Sequence, residues 1–217
     1  MRKPLTAICL LGALTVPLAA ARAQTADVSE QDKTFLTGQQ QTNLAEVALG
    51  KMVMEKTTND KVKELASNLV SAHETVSREN AALAQKVGIT PPTEPSAEQK
   101  AMAEKILAQS GHALDQAFVD AQVEGHTKSL EKANKEISSG TNPDVKAFAT
   151  AYLPKAQGHL DMSKAVQSQL NSAATAAAAD GLARTGRSTD RLAGLGIMTL
   201  LLGLAAFWMS RRFVTEG

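Results

Sequence analysis

Four ionisable side chains stand where a helix of this chain should bury an apolar one: Glu46, His73, His126 and His159. Around His126 the run AQVEGHTKSLEKA places Val119, Val123, Leu130 and Ala133 on one helical stripe with the imidazole at its centre. A neutral imidazole is a ligand for zinc, copper or iron, and three of them with one carboxylate would offset much of a divalent charge in an apolar surrounding. The Glu-x-x-His signature of di-iron bundles is absent, because Val70, Val123 and Ala156 stand three residues before the histidines. The spacing therefore allows a mononuclear site at most. The alternative is a buried polar network, with Glu46 hydrogen-bonded to one or two histidines, that fixes helix register and binds nothing. His112, beside the Ser110-Gly111 break, is left to capping or solvent, and Asn80 and Tyr152 to register and core edge.

Four long amphipathic segments have to position these groups. The first spans about Ser29 to Thr57, with Phe35, Thr42, Glu46, Leu49 and Val53 on its stripe. Asn59 caps the second, about Asp60 to Val87, whose line is Val62, Ala66, Leu69, His73, Val76, Asn80, Leu83 and Val87. Gly88 ends it, and Pro91, Pro92 and Pro95 delay the next start to Ser96, where Ser96 and Gln99 form a capping box for a short helix to about Leu107. The third long segment runs from about Ala113 to Ile137. The fourth opens at Asn142-Pro143 and carries Val145, Ala149, Tyr152, Ala156, His159, Ser163, Val166 and Leu170 inward, with Pro154 expected to kink it. No run alternates as a half-buried strand does. The predicted fold is all-α, an antiparallel four-helix bundle of residues 24–172 with a short extra helix, and counting back from the turns puts the four ionisable groups near one level, with Glu46 and His73 offset by roughly 6 Å.

The ends of the chain address it to a membrane. Arg2 and Lys3, the apolar run Leu5 to Leu18, and Ala21-Arg22-Ala23 read as a signal peptide, residues 1–23. The single cysteine, Cys9, lies inside it, so the mature chain has no thiol for disulfides, catalysis or metal ligation. Residues 173–191 read as an alanine-rich stalk. Leu192 to Met209 is free of charge, is bounded by Arg191 and Arg211, and is just long enough to span a bilayer, with residues 210–217 as a cytoplasmic tail. The expected location is the inner membrane, crossed once, with the bulk of the chain periplasmic.

Composition narrows the partners. Of the 23 basic residues, Arg2, Lys3 and Arg22 leave with the leader, so 20 remain against 22 acidic ones, and aromatics make up 3% of the chain. No basic patch interleaved with aromatics is present, and nucleic acid is not an expected partner. The missing Cys pair excludes covalent c-type haem, whereas haem held by two of the histidines stays open. Nothing designates a catalytic residue; an oxidase or peroxidase would need an open coordination position and a substrate pocket.

Leu44-Ala45-Glu46-Val47-Ala48-Leu49-Gly50, Val62 to Ala66 leading to His73, Ser110-Gly111 with Asp115, Val123 to His126, and Leu153-Pro154 with His159-Leu160 follow one another in an order and spacing that resembles the bacterial family called domain of unknown function 4142, over about residues 30 to 170. That resemblance implies a ferritin-like four-helix bundle in an exported protein and implies no established activity. The family's helix-one glutamate matches Glu46, and its three helix histidines match His73, His126 and His159. The chain departs from the family where an acidic residue often precedes the second-helix and third-helix histidines, since Ala72 and Gly125 stand there. Two functional readings follow: a membrane-anchored domain binding one transition-metal ion (Zn, Cu or Fe) at Glu46, His73, His126 and His159, or a structural or protein-interaction module of the cell envelope whose polar layer only shapes the core.

Overall fold

A computed structural model describes residues 27–189, with side chains through residue 182. The signal peptide, the span 192–209 and the tail 210–217 lie outside the described residues. Among the described residues the chain is all helix, with α1 Glu30–Lys56, α2 Asp60–Lys86, α3 Ala97–Leu107, α4 Gly111–Ser139 and α5 Pro143–Thr189. None of these helices is long and apolar enough to cross a membrane.

The boundaries follow local chemistry. The Ser29 hydroxyl accepts from the Asp32 amide while the Asp32 carboxylate accepts from the Ser29 amide, a closed capping box, and Ser96 with Gln99 repeats the device on α3. Asn59 Oδ1 accepts from Lys61 N and Val62 N, and Asn142 Oδ1 from Asp144 N and Val145 N, so α2 and α5 begin on satisfied amides. Gly88 closes α2 at φ 81°, a left-handed turn in which Ile89 N reaches Ala84 O at 2.8 Å. Pro154 lies within α5, and the helix continues on both sides of it and through the alanine-rich stretch.

Helix α1 packs on α2 and on α4, and α5 packs on α4 and on α2. That closed ring of neighbours is the pattern of a four-helix bundle, with α2 and α4 on one diagonal and α1 and α5 on the other. The start of α1 meets the end of α4 where Asp32 accepts from Thr141 Oγ1 at 2.9 Å, and its end meets the start of α4 where Thr57 Oγ1 donates to Asp115 Oδ1 at 2.5 Å. Those two helices are therefore antiparallel. Lys86–Asp144 at 2.8 Å and Lys155–Glu79 at 3.1 Å set α2 and α5 antiparallel in the same way. At Gly50 a Cβ would come within 2.6 Å of Val70 Cγ2, so glycine is what lets α1 lie this close to α2.

The core is in two parts. Leu49, Val53, Val62, Leu65, Leu69, Phe118 and Val119 fill one half, and Phe35, Leu36, Val76, Ala133, Ala149, Tyr152 and Ala156 the other. Between them the buried residues are polar: Gln39, Gln40, Asn43, His73, Gln122, His126, Ser129, His159 and Ser163. Two readings of the sequence change here. Tyr152 is not at the core edge but among the largest fully buried side chains, and the inward face of α1 passes through Gln39, Gln40 and Asn43, leaving Thr42 and Glu46 partly exposed.

Candidate metal centre

The polar waist is built from one turn of each long helix. His73 of α2, His126 of α4 and His159 of α5 are 0%, 2% and 7% exposed, and one nitrogen from each lies within 4.8 Å of the others. His73 Nε2 stands 3.4 Å from His126 Nε2 across the α2–α4 diagonal, and His159 Nδ1 stands 3.2 Å from His126 Nε2. The ring centroids are 5.1 to 5.6 Å apart.

Hydrogen bonds on the far side of two rings settle where their protons are. His126 Nδ1 lies 2.9 Å from the Gln122 carbonyl oxygen, which can only accept, so Nδ1 carries the proton. His73 Nδ1 lies 2.9 Å from Asn43 Oδ1, which also accepts from Gln39 Nε2, so that ring donates through Nδ1 as well. In the neutral rings both Nε2 atoms are then bare lone pairs aimed at each other. Burial favours that neutral state: it holds His73 well below the ordinary imidazole range, helped by His126 and His159. It lowers His126 against the opposing pull of the Gln122 carbonyl, and pushes His159 down to about 4, helped by His126 and Lys155.

Convergent lone pairs on neutral imidazoles fit a cation. A tetrahedral ion bound at the usual 2.0–2.1 Å separates its nitrogen ligands by about 3.3 Å, close to the His73–His126 and His159–His126 separations, with the third pair within 4.8 Å. An outer acceptor on the remaining ring nitrogen is the usual companion of a metal-bound histidine, and here Asn43 and the Gln122 carbonyl take that place.

Glu46 is the fourth residue expected from the sequence, and it does not join the group of three. Asn43 and His73 are equidistant from Thr58 in the α1–α2 hairpin, so the side chain level with His73 is Asn43. Three residues further on, Glu46 is rotated about 60° around the helix. It lines a cleft between α1, α3 and α4 instead, where a Cβ on Gly125 would lie 4.0 Å from its Oε1. Asn43 is not among the residues that the sequence singles out, because the search for ligands follows ionisable groups; the run Leu36, Gln40, Asn43 has the helical spacing that reveals it. His112 is exposed, as expected.

A family model described as "Domain of unknown function (DUF4142)" matches residues 17–166. The chain belongs to the DUF4142 family. No curated protein matches it. Its fold is similar to the crystal structure of a DUF305 fragment from Deinococcus radiodurans, with a TM-score of 0.58, 15% identity, and coverage of 65% of this chain and 98% of that one. A putative secreted DUF305 protein from Streptomyces coelicolor is similar with a TM-score of 0.56 and 12% identity, covering 65% and 92%. At such identities the likeness concerns the fold. The three histidines of this DUF4142 chain thus sit at the waist of a helical fold that recurs under another family name.

Proposed function

We propose that this DUF4142 domain binds one transition-metal ion, zinc, copper or iron, through His73 Nε2, His126 Nε2 and His159 Nδ1. The observation that carries the proposal is the pair of Nε2 lone pairs brought to 3.4 Å by helices on opposite corners of the bundle. Neither of these two rings gives the other a proton while both are neutral; His159 Nδ1, 3.2 Å from His126 Nε2, donates to it in one tautomer, and in the other a cation takes all three lone pairs. Asn43 orients His73 and the Gln122 carbonyl orients His126. Three nitrogen ligands leave at least one coordination position for solvent or a small ligand. Metal held by facing side chains of separate helices is the habit of ferritin-like bundles, and that likeness is part of the proposal. So is the location: the leader and the apolar segment 192–209 favour an exported domain held at the periplasmic face of the inner membrane.

The test is elemental analysis of the purified full chain after dialysis against excess of each metal, beside His73→Ala/His126→Ala. The expected result is one ion per chain, lost in the double variant while the helical circular dichroism persists. Equal metal content in the two proteins would overturn the site, leaving the layer as a register-setting network in a structural or protein-interaction module of the envelope.

A further inference from the structure

The cleft that receives Glu46 holds a second unsatisfied arrangement. It encloses about 160 Å³ between α1, α3 and α4, room for roughly five water molecules. Two buried oxygens in its lining residues have no hydrogen-bond partner among the described residues, Glu46 Oε2 and Gln122 Oε1. Gln122 is 1% exposed, so solvent outside the cleft does not reach it. Its amide donates to the Glu46 carboxyl, which leaves both of these oxygens as acceptors without a donor. Burial pushes the Glu46 carboxyl up to about 7, against the opposing hydrogen bond from Gln122.

The other walls are mixed: Thr42 and Gln99 are hydrogen-bonded to each other, and Ser129 and Lys132 also line the space. Leu49, Met102 and Ala103 line the same space, and at its mouth Glu124 is already paired with Lys128. A hard divalent ion wants six or more oxygen ligands, and Leu49, Met102 and Ala103 present carbon on one side of the space where some of them would have to stand. A donor carrying both N–H groups and a hydrocarbon body satisfies both surfaces. We propose that this cleft is a binding site for a small primary ammonium compound, whose N–H groups donate to Glu46 Oε2 and Gln122 Oε1 and whose short alkyl body packs on Leu49, Met102 and Ala103. The site shares Gln122 with the histidine layer, where its backbone carbonyl orients His126, but uses the Gln122 side chain and none of the three imidazoles.

The experiment is an NMR titration of the ¹⁵N-labelled full chain with n-butylammonium, run in excess chelator so that the histidines contribute nothing. Tetramethylammonium serves as a cation without N–H groups. Saturable shifts are expected at the Gly125 and Ala45 amides and at the Gln122 side-chain amide, absent with tetramethylammonium. At least a tenfold weakening is expected in Glu46→Gln. Ala103→Leu, which fills the cleft and leaves the carboxylate in place, is expected to abolish the shifts even if Glu46→Gln unfolds. No saturable shift in the parent chain, equal shifts with tetramethylammonium, or undiminished binding in Ala103→Leu would each overturn the proposal.

Discussion

His73 Nε2 faces His126 Nε2 at 3.4 Å across the diagonal of the bundle, although each ring already gives its proton to an acceptor on its other side. Helices on a diagonal touch least, so this is a place where packing alone would not bring two rings together. The outer hydrogen bonds aim them.

If Asn43 sets the His73 tautomer, Asn43→Leu should leave metal stoichiometry at one and weaken affinity by about 10- to 100-fold. Competition against a chromophoric chelator measures this. An unchanged affinity would mean that the tautomer is not what Asn43 controls.

Metal should stabilise the folded chain by mass action, on the order of 2.7 kcal/mol at a free concentration one hundred times the dissociation constant. Thermal unfolding with metal and then with excess chelator checks this. The reversible gain should vanish in His126→Leu. A metal-dependent gain that survives the substitution would place the ion elsewhere.

At the other end of α4, Glu136 and Asp32 form a buried carboxyl pair that governs a pH response. Asp32 accepts from Ser29, Thr141 and Asn142 and is held below the usual carboxylate range; burial acts against this, and the hydrogen bonds from Ser29, Glu136 and Thr141 outweigh it. Burial, the Asp32 hydrogen bond and the Asp32 charge push Glu136 up to about 7, opposed by Gln31 and Lys146. The folded state therefore keeps a proton on Glu136 that the unfolded chain gives up near 4.5, so this group's contribution is full below 4.5 and is lost as pH rises through 7. Asp32 works in the opposite sense below its ordinary 3.8. Glu136→Gln should stabilise the fold at pH 8 by on the order of 1 kcal/mol after solvent screening, read as a higher unfolding temperature, and flatten the profile between pH 5 and 8. A parallel profile in both proteins would contradict the shared-proton account.

Asn80 ties α2 to α1 through bonds from Nδ2 to the Leu36 carbonyl at 2.9 Å and to Gln40 Oε1 at 3.0 Å. Asn80→Ala should cost about 1–3 kcal/mol, because it strands the Gln40 oxygen in the core. Chemical denaturation at constant m value would measure it, and a loss under 0.5 kcal/mol would deny the tie its role.

Much of this architecture was legible along the chain because its causes are local. Ser29, Asn59, Ser96 and Asn142 cap their own helices through atoms within three residues, so type and spacing were enough. The inward line of α5, from Val145 to Leu170, was equally open to reading, since one continuous helix carries its period unbroken. On α1 the same reasoning places Phe35, Leu49 and Val53 in the core, as found, but takes Thr42 and Glu46 inward at the waist where Asn43 is the buried residue. Asn43 and Glu46 lie about 60° apart on one broad stripe, and both have neighbours fit for a core.

The sequence by itself determined the all-helical character, the helix ends and the three histidines at one level, because a 3.6-residue period and short capping motifs are written in neighbouring positions. Tertiary structure alone decided that Asn43 completes the layer and that Glu46 turns to a separate cleft. Which side chain meets His73 depends on how two helices are rotated and slid against each other. That choice is made by distant bonds such as Thr57 to Asp115 and Asn80 to Leu36, and no short stretch of chain encodes it.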